Sequence, residues 1–155
     1  MKRNFIILIG AIVMLFTASS CEKTVEQSNV YEISVEMITN ADGSVASAVY
    51  KELAGEIKST DAVLAYVLLD DAWQPMPAFY DGESYIYAFD DDGYFRFDAF
   101  PTNGYVWTGN FKQDYRIIRI PHYAYTEKKA EGVDHNNYNE VMKAYDLYNT
   151  PVIRK

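Results

Sequence analysis

The feature that most restricts the folding of this chain is Asp90-Asp-Asp-Gly93, placed between two aromatic stretches. Ser84-Tyr-Ile-Tyr-Ala-Phe89 precedes it and Tyr94-Phe-Arg-Phe-Asp-Ala-Phe100 follows it. An Asp-Gly pair tolerates positive backbone φ and reverses a strand, so the flanking runs are expected to pair as a β-hairpin. The same two-residue period opens earlier, where Tyr31, Ile33, Val35 and Met37 alternate with Glu32, Ser34 and Glu36. Alternation of this kind suits a strand buried on one face. Asn40-Ala-Asp-Gly43 then reads as a turn, and Ser47–Leu53 as a returning strand with Val49 and Leu53 as its apolar positions.

Val63-Leu-Ala-Tyr-Val-Leu-Leu69 is apolar throughout and of strand length, which predicts the central strand of the core. Asp70-Asp71 ends it. Trp73-Gln-Pro-Met-Pro77 suits an edge, because proline donates no ladder hydrogen bond, with Trp73 and Met76 covering one end of the core. Tyr115-Arg-Ile-Ile-Arg-Ile120 is a further strand, stopped by Pro121. Asp134-His-Asn-Asn137 is a capping cluster. Tyr138, Val141, Met142 and Tyr145 after it recur at helical spacing and share one face of a short helix. The expectation is a mainly β fold: an antiparallel, immunoglobulin-like β-sandwich of six to seven strands with one short C-terminal helix.

The start of the chain carries a different kind of information. Lys2 and Arg3 precede an uncharged run, Phe5–Phe16, and then Thr17-Ala-Ser-Ser-Cys21. Basic, apolar and small segments in that order are the layout of a secretory signal. The run is about a dozen residues where a membrane-spanning helix needs roughly 20. Small residues before a lone cysteine resemble the lipobox of bacterial lipoproteins, in which the cysteine is acylated and becomes the new N-terminus. Cys21 is the only cysteine, so it has no disulfide partner in the chain; an ordinary signal with a chance cysteine is the alternative. Lipidation implies residues 1–20 as signal peptide, 21–29 as a polar tether and 30–150 as one β-rich domain. It implies membrane attachment through the N-terminal lipid in a cell envelope, with the outer membrane as the expected site. Glu22 and Glu26 leave the surface and periplasmic faces both open. Loss of residues 1–20 removes Lys2 and Arg3 and no acid, taking the formal charge from −8 to −10. Such a chain repels nucleic acid, which is not expected as a partner.

From Asp61 to Tyr145 the chain resembles a small secreted domain of Bacteroidetes-type lipoproteins, also present in collagen-like proteins of those bacteria. The residues that carry the likeness are Val63–Asp70, Trp73–Pro77, Tyr85–Phe89, Tyr115–Pro121, Asn136-Asn-Tyr138 and Val141-Met-Lys143. The resemblance implies location and approximate fold. It implies no activity, and collagen-like Gly-X-Y repeats are absent here.

Chemistry-bearing motifs are sparse. His122 and His135 are the only histidines, and neither has the neighbours that a zinc set requires. No nucleophile elbow, phosphate loop or HExxH occurs. Asp90–Asp92 are contiguous where a calcium loop alternates its acids, and Pro101 stands where such a loop closes with glutamate. A hairpin turn is the simpler reading, with a weak calcium site left open. No catalytic residue, metal or cofactor is assigned, and a non-enzymatic protein is expected. Fourteen tyrosines, eight phenylalanines and two tryptophans leave two uses. In one they are ordinary strand residues, and the domain binds a protein partner or supports an envelope assembly. In the other, Trp73, Tyr80, Tyr105 and Trp107, all near turns, stack on sugar rings in a small glycan-binding module.

Overall fold

The computed structural model describes residues 26–90 and 92–155. Residues 1–25, and with them the signal segment and Cys21, lie outside the described part, as does Asp91. Among the described residues, nine strands form in order: β1 (Asn29–Thr39), β2 (Ala46–Tyr50), β3 (Ala62–Leu69), β4 (Ala72–Pro75), β5 (Ala78–Tyr80), β6 (Glu83–Phe89), β7 (Phe95–Pro101), β8 (Phe111–Ile120) and β9 (Val152–Arg154). Two short helices, α1 (His122–Ala130) and α2 (Tyr138–Ala144), and a 3-10 turn at Leu147–Asn149 lie between β8 and β9.

The strands form one sheet in the order β4-β3-β8-β1-β2-β7-β6-β5, antiparallel throughout that path, with β9 added in parallel to β1. Strand β1 belongs to both halves. It pairs with β8 over Asn29–Met37 and hands over to β2 at Ile38 and Thr39. The sheet curls there, and the second half (β2, β7, β6, β5) faces the first (β4, β3, β8, β1) as a nearly closed barrel. Tyr31, Ile33, Val35 and Met37 point inward, as their alternation predicted. Phe97 of β7 stacks on Tyr115 of β8 with ring centroids 4.0 Å apart and planes 15° apart. The Tyr115 hydroxyl donates to Met37 Sδ at 3.4 Å. The expectation of a mainly β antiparallel fold is met.

A second apolar layer lies on the outer side of the first half. Val30, Tyr66, Ile118 and Ile120 project outward there, under Val141 and Met142 of α2 and Leu147. This layer explains the unbroken apolar run at Val63–Leu69, because β3 has the core on one face and helices over the other. Its position corrects the expectation: β3 is second from the edge, and β1 and β2 are central.

Other expectations need correction. Strand β2 turns Ala46, Ala48 and Tyr50 inward, so Val49 is exposed; Leu53 is buried, but in the turn after the strand. One helix was expected and two form. Pro121 ends β8 and also precedes the first turn of α1; its fixed φ suits a helix start as well as a strand stop. Strand β5 was legible in principle, since Asp81 and Gly82 both take positive φ in a two-residue turn between β5 and β6. Strand β9 extends the sheet to Arg154, past residue 150.

The predicted hairpin is β6–β7, paired from Glu83↔Pro101 to Phe89↔Phe95. Asp90 Oδ1 accepts the Tyr94 N–H at 2.8 Å, and Gly93 takes φ +83°. Helix α2 starts as predicted, with the Asn137 side chain accepting the Glu140 N–H at 3.2 Å.

Phe97→Ala removes the ring that joins the two halves and should destabilise the domain by about 3–5 kcal/mol. Val49→Ala, on the outer face of the same half, should change stability by no more than about 0.5 kcal/mol. Urea unfolding monitored by tyrosine and tryptophan fluorescence measures both.

Candidate functional site

One cleft forms beside the helical layer. Strand β4 pairs with β3 through the two-residue turn Asp70-Asp71, both residues in left-handed conformations. This turn and β4 make one wall, while the loop entering α2 makes the other. The cleft has a volume of about 640 Å³ and is lined by Trp73, Gln74, Asn136 and Tyr138 among others. Its floor is held from below. Arg116 projects outward from β8 with its guanidinium carbon 4.1 Å from the Trp73 ring centroid, and it donates to the Tyr138 hydroxyl. The Tyr138 ring also meets Tyr66 edge-on at 5.0 Å.

The charge on Arg116 is matched within the sheet. Glu32 lies opposite it in the β1–β8 register and accepts from its guanidinium. On the other side of β1, Arg154 Nε lies 3.5 Å from the same carboxylate. Hydrogen bonding to Arg116 holds the Glu32 carboxyl below the usual carboxylate range. Among the described residues, Arg116 Nε is buried without a hydrogen-bond partner, while the face of the guanidinium stacks on Trp73.

The four aromatic candidates do not form one platform. Trp73 lines the cleft beside α2. Tyr80, on β5, donates its hydroxyl to Asp70. Trp107 lies in the β7–β8 connection, where its Nε1 donates to Glu83 Oε1 at 3.3 Å and its ring packs 5.1 Å from Phe111. That connection is laid across the turn after β1: the Trp107 N–H donates to the Gly43 carbonyl at 3.0 Å. A Cβ at Gly43 would stand 2.5 Å from the Trp107 carbonyl oxygen. Tyr105, in the same connection, is 71% exposed. Asp134-His-Asn-Asn137 was read from the sequence as a cap and Tyr138 as a core-facing helix residue, while Asn139 was not singled out. Trp73 at an edge, facing a helix start in the same outer layer, was the signal for the cleft, but it required the sheet order.

The histidines stand apart. His122 opens α1 and is exposed. His135 Nε2 lies 2.7 Å from the Tyr145 hydroxyl, and its ring packs 4.5 Å from Tyr125. Among the described residues, no group of three His, Cys, Asp or Glu is arranged to hold a metal ion. Asp90 serves its own turn, as above.

A second surface is of a different kind. Among the described residues, no helix lies on the outer face of the second half. In register across it run Ile38, Ser47, Asp98 and Ile86, then Val49, Arg96 and Ala88, then Phe100, Ser84 and Phe79. Ile38, Val49, Phe79 and Ile86 are exposed. At the centre, Asp98 accepts from Ser47 Oγ at 2.5 Å and from Arg96 Nε at 3.0 Å. The apolar side chains thus surround a neutralised pair. Among the described residues, no helix is long and apolar enough to cross a membrane.

No family model, curated protein or solved structure matches this chain.

Burial lowers the pKa of His135, so the unfolded chain takes up that proton more readily than the folded one. Its contribution is complete above the ordinary histidine value near 6.5 and declines as pH falls below it. Urea midpoints should therefore drop between about pH 7.5 and 5, and His135→Gln should flatten that drop.

Proposed function

We propose that this chain is a lipid-anchored, non-enzymatic cell-envelope protein, held in the outer membrane by acyl groups on Cys21, that binds a protein partner. The observation that carries the partner is the uncovered outer face of β2, β7, β6 and β5, with Ile38, Val49, Phe79 and Ile86 in solvent. The equivalent face of the first half is apolar too, and the chain covers it with its own helices. An apolar face left open in the same fold suits an interface. A second copy of the chain is the poorer occupant, since the mature chain carries a formal charge of −10 and two copies repel. The proposed partner presents an apolar patch flanked by basic side chains. The lipid anchor and the likeness to Bacteroidetes-type lipoproteins come from the sequence. Within this reading the two halves act as the layers of an immunoglobulin-like sandwich, supported by the Phe97–Tyr115 stack between them.

Two measurements test the proposal. Wild-type chain expressed with labelled palmitate should take up label, and Cys21→Ala should take up none; an unlabelled wild type contradicts the anchor. A photo-crosslinking residue at Val49 should give one discrete adduct in intact envelopes, lost when Ile38→Asp and Ile86→Asp are added. Absence of any adduct at Val49 contradicts the partner.

The alternative reading, a surface glycan-binding module, is favoured by one specific observation: the cleft with Trp73 and Tyr138 in its walls.

A further inference from the structure

We infer that the cleft between β4 and the loop entering α2 is a saccharide subsite, and that its ligand is a neutral glycan. The inference rests on the glycan reading and is independent of the protein-binding face.

Three features of the cleft fit a sugar ring. The first is a pair of partly exposed aromatic side chains, Trp73 on the β4 wall and Tyr138 on the facing one. Their ring centroids lie 6.4 Å apart with planes 36° apart, so two flat apolar surfaces meet at an angle. The second is that these rings are already fixed. The Arg116 guanidinium packs on Trp73 and bonds the Tyr138 hydroxyl, while Glu32 anchors Arg116 from the next strand. Rings held in place before a ligand arrives lose little side-chain freedom on binding. Arg116 is in this sense a positioning residue: its charge is directed to Glu32 and its plane to the ring.

The third feature is the rim. Gln74 on β4, Asn136 in the facing loop and Asn139 in the first turn of α2 supply amides, each with donors and an acceptor, and Asp71 adds a carboxylate. Hydroxyl groups both donate and accept, so a mixed amide and carboxylate rim satisfies them. The charge of the lining selects among glycans. Asp71 and Asp134 are the charged residues of the cleft wall, and among the described residues no lysine or arginine lines it. Arg116 lies beneath the rings, and its charge is balanced by Glu32. A uronic acid or sulfated sugar would meet uncompensated negative charge, whereas an uncharged hexose or pentose polymer would not.

Affinity electrophoresis of residues 22–155 tests this, since that span keeps every described element and both apolar layers. The gels contain a mannan, a β-glucan, a xylan or, as the acidic case, polygalacturonate. At least one neutral polymer should retard the protein, and polygalacturonate should not. Trp73→Ala should weaken retardation about tenfold or more. Asn136→Ala, at an exposed loop position, should weaken it with an unchanged urea midpoint, which separates loss of contact from loss of fold. Lys51→Ala, at an exposed position just after β2, should leave it unaltered. Retardation by polygalacturonate equal to that by the neutral polymers overturns the charge selection. Retardation that survives Trp73→Ala but is lost in Tyr105→Ala moves the sugar to the β7–β8 connection; that overturns the cleft while leaving the glycan reading standing. No retardation by any polymer overturns both.

Discussion

The structure depends on β1 serving two half-sheets at once. Its first nine residues pair with β8 and its last two with β2, so the sheet curls where the partner changes. Once curled, the sheet has one inner face and two outer ones. The inner face is filled by the alternating side chains of β1, β7 and β8, with Phe97 and Tyr115 in contact at its middle. The outer faces are then unequal. Everything between β8 and β9 is placed over the first half, and nothing among the described residues is placed over the second. Both candidate surfaces follow from that asymmetry. The cleft is formed where the helical layer meets the edge strand β4, and the open apolar face is the side the helices do not reach.

What could be read from the sequence was what local rules govern. Turn chemistry placed the β6–β7 hairpin, because Asp90 and Gly93 satisfy the reversal within five residues. Period two gave the inner face of β1, and the Asn137 cap with Val141 and Met142 gave α2. The sheet order was not legible, because no local pattern records that β8 lies between β3 and β1. For the same reason a fully apolar β3 suggested a central position; the second cover comes from α2 and the Leu147 turn, far along the chain. Strand β9 is three residues long and finds its place only because β1 offers a free edge at Val30–Glu32.

The candidate site was legible in part. Trp73 was singled out as an aromatic near a turn, and it does line a cleft. Tyr80, Tyr105 and Trp107 were singled out on the same ground, yet Trp107 is engaged by Glu83 and Phe111 and lies in a separate part of the surface. Arg116 and Tyr138 were not read as site residues because their roles depend on neighbours across the sheet: Glu32, 84 residues away from Arg116 in sequence, and Trp73 on the edge strand. A half-buried guanidinium stacked under an indole leaves no sequence pattern. The exposed apolar face was hidden by the same alternation that reveals strands, since Val49 resembles any inward-facing valine until β2 is placed in register with β7.

The central claim is that the outer face of the second half is covered in the cell and open in the isolated chain. Cys21 is the only native cysteine, so a single Val49→Cys substitution adds one reporter thiol to that face. Its reaction with a membrane-permeable maleimide is compared in purified protein and in intact envelopes, with Thr102→Cys on an exposed loop as reference. The account predicts rapid labelling of both positions in the purified chain, and in envelopes selective protection of position 49. Equal labelling at position 49 in the two settings would contradict it.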